Sequence, residues 1–358
     1  MLRKAVVLCA GEGSRLRPLT FSRPKHLLPV AGKPILGWAL EAIRDAGIRE
    51  VGVVVGHHAE AVRRYVGSGD TWGLSVEYIA QLQPLGLAHA VLVARDYVQD
   101  EPFLVYLGDN LFEDGIQPFV AHLGRNDWDA GLLLKAVDDP SRFGVARVSG
   151  DRVVGVAEKP VHPDSNLAIV GVYAFRASIF DAISRIEPSP RGELEITDAI
   201  GLLVAEGRSV RGSELQGLWE DAGEPVALLR ANQEWLVRSD LRVAEGTTSD
   251  CEVVGKVGIE TGAQVTRSKI VGPCRIGHNC IVDGSVIGPD VVVDDGCEIR
   301  HSRLRNCIVQ RNTEIRNLRA GLVDSVIGEY VTIVGRDGES DGTPLSLLLG
   351  DMSHVQAR

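Results

Sequence analysis

The chain has 358 residues, enough for two domains and a large core, with 44% apolar and 24% charged residues, the balance of an ordinary soluble globular protein. Its formal net charge of −10 argues against a nucleic acid as partner, because a phosphate backbone asks for a basic face. No stretch reaches the roughly 20 apolar residues of a membrane span and no signal peptide is visible, so the expectation is a cytoplasmic protein with no membrane partner.

The first predicted element is a buried strand over 5–9, and it runs into the stretch LCAGEGSRLRPLTFSRPK at 8–25. Gly11 and Gly13 offer backbone that can approach an anion with no Cβ in the way. Arg15, Arg17 and Lys25 follow as spaced cations against an acidic background. Strand, glycine turn and cations together predict a polyphosphate seat. Neither GxGxxG nor GxxxxGK[ST] is matched, so it is not one of the two common nucleotide loops.

Strands are expected at 51–55, 75–79 and 103–107, and helices at 35–46, 59–66 and 87–95, from the alternation of short apolar runs with helix-period faces. Such alternation predicts a parallel, doubly wound sheet whose ligands lie beyond the carboxyl ends of its strands. The Gly11 loop and Asp109 both lie at such ends. The span 130–220 is richer in strands, at 130–137, 144–148, 153–157 and 168–175, with helices at 178–186 and 197–206. It reads as an insertion adding antiparallel strands. A helix at 225–237 precedes a polar boundary at 238–250.

Beyond the boundary the period becomes six. Val253, Ile259 and Val265, then Ile270, Ile276 and Val282, then Ile287, Val293 and Ile299 recur at that spacing, with phase slips near 270, 287 and 300. A hexapeptide period predicts a parallel β-helix whose coils must stack to bury their aliphatic side. After about residue 336 no period is readable. The cysteines Cys9, Cys251, Cys274, Cys280, Cys297 and Cys307 include no CxxC and read as small core residues. His57 and His58 are adjacent with no third ligand near in sequence, and are not read as a metal site.

The motifs in family order are AGEGSRLRPLT with RPKHLLPVAGKP at 10–34, QLQPLGLAHA at 81–90, YLGDN at 106–110, EKP at 158–160, GVY at 171–173, RGELEITD at 191–198 and WEDAG at 219–223. In these the chain resembles the sugar-1-phosphate nucleotidyltransferases, most closely the long-form glucose-1-phosphate thymidylyltransferases. The resemblance implies a Rossmann-like α/β nucleotidyltransferase domain with a mixed, mainly parallel sheet at 1–238. It further implies a left-handed parallel β-helix at 250–336, followed by a tail at 337–358. The implied reaction is dTTP plus glucose 1-phosphate to dTDP-glucose and pyrophosphate, for nucleotide-sugar synthesis.

The reaction is a displacement at phosphorus, which asks for positioning, charge neutralisation and a divalent metal. By resemblance Arg15, Lys25 and Lys159 are the catalytic cations, and Leu8, Ala10, Gly11, Glu12, Gly13, Gln81, Pro84 and Gly86 line the nucleotide. Asp109, Gly144, Glu158, Lys159, Ile169, Tyr173 and Arg191 line the sugar phosphate. Asp109 and Asp221 are implied as ligands of Mg²⁺, which is held by few protein carboxylates. Gln81 carries a donor and an acceptor suited to a pyrimidine edge.

Four positions, in three departures, differ from the family pattern: Glu12 where Gly is frequent, Leu85 and His89 in a loop drifting toward uridylyltransferases, and Phe143 where Tyr is common. UTP therefore stays open as the nucleotide. An acetyltransferase β-helix using His278 or His301 and a non-catalytic assembly subunit also stay open. A homo-oligomer (trimer, tetramer or hexamer) is expected.

Overall fold

The computed structural model of the chain describes residues 2–124, 127–245, 247–335 and 342–356. Contacts gather into two compact units. One is Met1–Glu12 with Leu36–Trp219, and the other is Gly13–Ile35 with Glu220–Arg358.

The first unit is built on a nine-stranded mixed sheet. Lys4–Cys9 runs parallel to Glu50–Val55 on one side and to Phe103–Leu107 on the other, and Ser75–Ala80 extends it past Glu50–Val55. All six residues of Lys4–Cys9 are buried, which is why the strand reads as an unbroken apolar run and not as an alternation. Its one ionic member, Lys4, donates to the carbonyl of Tyr97 at 3.1 Å and pairs with Glu101 at 2.9 Å.

The expected antiparallel addition is present. Leu167–Phe175 lies antiparallel to both Phe103–Leu107 and Ala130–Ala136, and Gly144–Ser149 pairs antiparallel with Arg152–Glu158. The core fills with Val6, Phe103, Val105, Leu132, Phe175, Phe180 and Ile200.

Several elements differ from expectation: a helix forms over Gln117–Leu123 where none is expected, and the helix expected at 178–186 ends at Ile183. The helix expected at 87–95 is two short ones, Leu87–Leu92 and Arg95–Val98, joined where Ala94 sits at φ −86°, ψ 1° and the hydrogen bonds tighten to three-residue spacing. Val210–Glu214 is a strand parallel to Ala130–Ala136 that no apolar pattern announced. Only Val210 and Gly212 face the core there. A Cβ on Gly212 would meet Leu134 Cδ1 at 2.8 Å, so a larger residue there would have to displace that side-chain end.

In the second unit the carboxy-terminal strands stack in parallel as a left-handed β-helix. Seven strands, from Thr248–Ser249 to His354–Gln356, form one face, and a further sheet of parallel strands makes the other sides. Val265 pairs with Val282 and Val282 with Ile299, a coil of 17 residues. Three sides of six would need one residue more, so one side per coil is short, and this produces the slips near 270, 287 and 300.

Val265, Ile270, Ile276, Val282, Ile287, Val293 and Ile299 all point into the core. A ladder of serines closes one corner. Ser268 Oγ accepts from Ser285 N at 3.0 Å, Ser285 Oγ from Ser302 N at 3.2 Å, and Ser302 Oγ from Leu318 N at 3.1 Å. Residues 336–341, where the period fades, lie outside the described residues. Beyond them Leu348–Leu349 and His354–Gln356 pair with Leu322–Ile327 and Thr332–Val334, so the stretch without a readable period still supplies β-helix strands. In the polar boundary expected at 238–250, Gly246 lies outside the described residues. Five of the six cysteines are buried, Cys251 is half-buried, and all six are free thiols. No described helix is long and apolar enough to cross a membrane.

Candidate active site

In the first unit, the opening strand and the Asp109 turn meet directly. Gly108 N donates to the carbonyl of Leu8 at 3.1 Å. Leu8 is buried, Ala10 half-buried, and Gly11 and Glu12 emerge exposed beyond the strand end. Asp109 is 8% exposed, and its Oδ1 accepts from Asn110 Nδ2 at 2.9 Å. Asn110 in turn accepts from Trp219 Nε1 at 2.6 Å, and the Trp219 ring meets Phe143 edge-on at 5.1 Å. Asn110 and Trp219 thus orient Asp109. They sat inside the YLGDN and WEDAG motifs with no role attached to them.

A second cluster centres on Glu158. Its carboxylate accepts from Arg191 Nη2 at 3.1 Å and from Thr197 Oγ1 at 3.0 Å, with Lys159 Nζ at 3.8 Å. Burial pushes the Glu158 carboxyl above its usual range, against the opposing Thr197 hydrogen bond and the two cations. Arg191 also reaches Glu195 at 2.7 Å, a residue the sequence did not single out.

Gly144 belongs to this cluster because a Cβ there would lie 2.8 Å from Thr197, 3.3 Å from Glu158 and 3.5 Å from Ile169. Tyr173 is 5% exposed and stacks on Phe175 at 5.8 Å, so its ring packs in the core. Burial, with the Glu158 charge nearby, pushes its phenol up.

The loop at 81–88 is stitched to the loop carrying Arg191. Leu194 N donates to Leu85 O at 2.8 Å and Ala88 N donates to Leu194 O at 3.0 Å. Gly86, at φ 110°, ψ 177°, allows this approach. Gln81 is buried and its Nε2 lies 2.9 Å from His89 Nδ1, whereas Pro84 is exposed. The candidate base contacts and the candidate sugar contacts are therefore one continuous structure.

In the second unit, Gly13 is left-handed at φ 65°, with Lys25 Cβ and Thr20 Cγ2 3.0 and 3.1 Å from where its own Cβ would be. Thr20 Oγ1 donates to Gly13 O at 2.8 Å. Of the two loop glycines only Gly13 has a positive φ. Arg15 pairs with Glu224 at 2.6 Å, and Asp221 accepts from Gly223 N at 3.1 Å. A Cβ on Gly223 would sit 3.0 Å from Asp221 Oδ1 and 3.1 Å from Arg15 Nη2, so these two side chains converge on that glycine. Arg17 is exposed over Phe21.

Asp109 and Asp221 present hard carboxylate oxygens, and no three His, Cys, Asp or Glu side chains gather as a metal cage among the described residues. A carboxylate oxygen, as each of these two residues offers in its own unit, is the donor type that Mg²⁺ takes, one or two at a time, with water and phosphate oxygens completing the shell. His278 is exposed, 3.2 Å from Thr261 O, and His301 occupies a left-handed corner at φ 48°.

A strand-end glycine loop carrying cations and a strand-end aspartate on a Rossmann-like sheet are the parts of a nucleotidyltransferase. Residues 4–237 match the nucleotidyl transferase family, and the chain belongs to it. It is 41% identical over 354 residues to a glucose-1-phosphate thymidylyltransferase of Streptomyces griseus, covering 99% of both chains. It is 44% identical over 359 residues, again 99% of both, to one of Streptomyces antibioticus. Among solved structures, a Bacillus anthracis chain provisionally assigned the same activity is 37% identical with a TM-score of 0.61, covering 68% of this chain and 97% of that one.

Proposed function

We propose that the protein is a glucose-1-phosphate thymidylyltransferase that makes dTDP-glucose and pyrophosphate from dTTP and glucose 1-phosphate. The observation that carries this reading is likeness to two such enzymes over 99% of both chains, with every motif present. A phosphate oxygen of glucose 1-phosphate attacks the α-phosphorus of dTTP. A new P–O bond forms as the bond to the bridging α–β oxygen breaks, and pyrophosphate leaves with that electron pair. Such a displacement needs no covalent enzyme intermediate, only alignment and charge neutralisation.

Arg15 and Lys25 neutralise the triphosphate and then the leaving pyrophosphate. Leu8, Ala10, Gly11, Glu12 and Gly13 present the loop backbone. Gln81, Pro84 and Gly86 take the base. Lys159 and Arg191 hold the sugar phosphate, Glu158 takes a sugar hydroxyl, and Gly144, Ile169 and Tyr173 shape the sugar pocket. Asp109 and Asp221 would hold Mg²⁺, which supplies charge neutralisation at the phosphates. The active protein is a cytoplasmic homo-oligomer, and its catalytic portion is 1–238.

Asp109→Ala in the full chain should lose pyrophosphate release by several orders of magnitude. Turnover equal to the parent would end the assignment. A second reading, UTP in place of dTTP, rests on Leu85 and His89 in a loop that drifts toward the uridylyltransferase pattern. The kcat/KM ratio of dTTP to UTP with glucose 1-phosphate decides between them, and a preference for UTP would replace the thymidylyl assignment.

A further inference from the structure

The cations of the glycine loop sit on a segment, Gly13–Ile35, that belongs by its contacts to the same unit as the β-helix. The attachment is specific. Arg23 Nη1 donates to Gln310 Oε1 at 2.7 Å and to Glu329 Oε1 at 2.8 Å, and its Nη2 donates to Asp351 Oδ2 at 2.7 Å. Asp351 also accepts from Ser22 Oγ at 2.6 Å, and its other oxygen from Glu329 N at 2.8 Å. Three successive β-helix levels thus close on one guanidinium whose side chain is only 15% exposed. Gly350 packs so closely on Pro18 that a Cβ would meet its carbonyl at 3.0 Å.

Such a cluster is poorly explained as a source of stability. Buried ion pairs roughly cancel their own desolvation, while their fixed geometry specifies register. What lies in register with Arg23 is Lys25. One buried proline separates them, and Lys25 opens a 3₁₀ turn in which Leu28 N donates to Lys25 O at 3.0 Å. The stem of Lys25 is also what Gly13 packs against.

We infer that Arg23 is a positioning residue for the reaction, and that the last coils of the β-helix set the placement of Lys25 and the Gly13 turn through it. The inference rests on the reading of Lys25 and Arg15 as triphosphate ligands, and gives the β-helix a part in catalysis beyond assembly.

The test uses full-length Arg23→Ala, Arg23→Lys and the double variant Glu329→Gln/Asp351→Asn, with steady-state kinetics in both directions. Misplacing Lys25 should raise KM for dTTP and for pyrophosphate about tenfold and lower kcat, while KM for glucose 1-phosphate stays within twofold. The double variant should show the same split, and Arg23→Lys should lie between parent and Arg23→Ala. A merely structural role would lower kcat in proportion to the folded fraction and leave both KM values alone. That result, or equal rises in both KM values, would overturn the inference. Lys25→Ala run alongside separates the two levels. If it leaves dTTP kinetics unchanged, the reading of the loop fails and the inference falls with it. If it impairs dTTP use while the Arg23 variants do not, only the positioning role fails.

Discussion

Gly86→Ala tests the stitch between the candidate base loop and the candidate sugar loop. At φ 110°, ψ 177° the position is in a region essentially reserved for glycine, which costs a side chain of order 1–3 kcal/mol. A Cβ would also lie 2.6 Å from both the N and the O of Leu194, backbone atoms that have no flexible end to move. Relief requires the 81–88 loop to part from Leu194, giving up the Leu194 N–Leu85 O and Ala88 N–Leu194 O hydrogen bonds at about 1 kcal/mol each. The combined cost is about 3–5 kcal/mol, and it falls on the alignment of Gln81 with the segment carrying Arg191.

At about 1.4 kcal/mol per decade, kcat/KM for the nucleotide should fall by at least about a hundredfold. The assay is initial-rate pyrophosphate release over a matrix of both substrates. Gly192→Ala is the control: it lies in the facing loop, next to Arg191, at φ 76° with nothing within 4 Å of its Cβ, so it carries backbone strain alone. Gly86→Ala kinetics within twofold of the parent, or no worse than those of Gly192→Ala, would refute the reasoning.

Glu158→Gln should raise the melting temperature at pH 8 while raising KM for glucose 1-phosphate. Burial lifts the folded carboxyl above its unfolded value of about 4.3, so its contribution to stability is present below that pH and lost as pH rises through the folded value; the gain of the variant should therefore vanish near pH 4, and a gain constant with pH would contradict it. Ile299→Ala, at a fully buried rung between Val282 and Ile315, should cost about 2–5 kcal/mol in urea unfolding, and a loss under 1 kcal/mol would mean that the coils do not stack as a close-packed core.

The sequence made the parallel strands and the β-helix legible for the same reason. Each buries a repeating set of aliphatic side chains, so burial writes itself as a run or a period. Lys4–Cys9 and the series Val265 to Ile299 are of this kind. Val210–Glu214 was illegible because two inward positions, one of them glycine, leave no pattern. Leu348–Leu349 and His354–Gln356 were illegible because the coil that holds them departs from the six-residue step.

In the site, motifs named Asp109, Glu158 and Arg191. The residues that fix them were reachable only through space. Asn110 and Trp219 on Asp109 are 109 positions apart, and Thr197 meets Glu158 across 39.

Exposure sorts the cations in a way that composition could not. With a net charge of −10, many cations find a carboxylate, so pairing alone does not mark a structural residue. Arg15 pairs with Glu224, but its side chain is 58% exposed, and an exposed pair is worth about 0–1 kcal/mol, so it would be little to displace for the triphosphate role proposed for Arg15. Lys159 and Arg191 keep 45% and 42% of their side-chain surface open, but their shared partner Glu158 is only 23% exposed and Arg191's second partner, Glu195, only 6%, so these pairs are less readily exchanged. The Arg23 side chain is 15% exposed and its carboxylates are half-buried, so removing them would leave a largely enclosed charge unpaired, and its partners too are less readily exchanged. Of these cations Arg15 has the most readily exchanged pairing, and Arg23, which no motif reading named, is the one held in place two residues before Lys25.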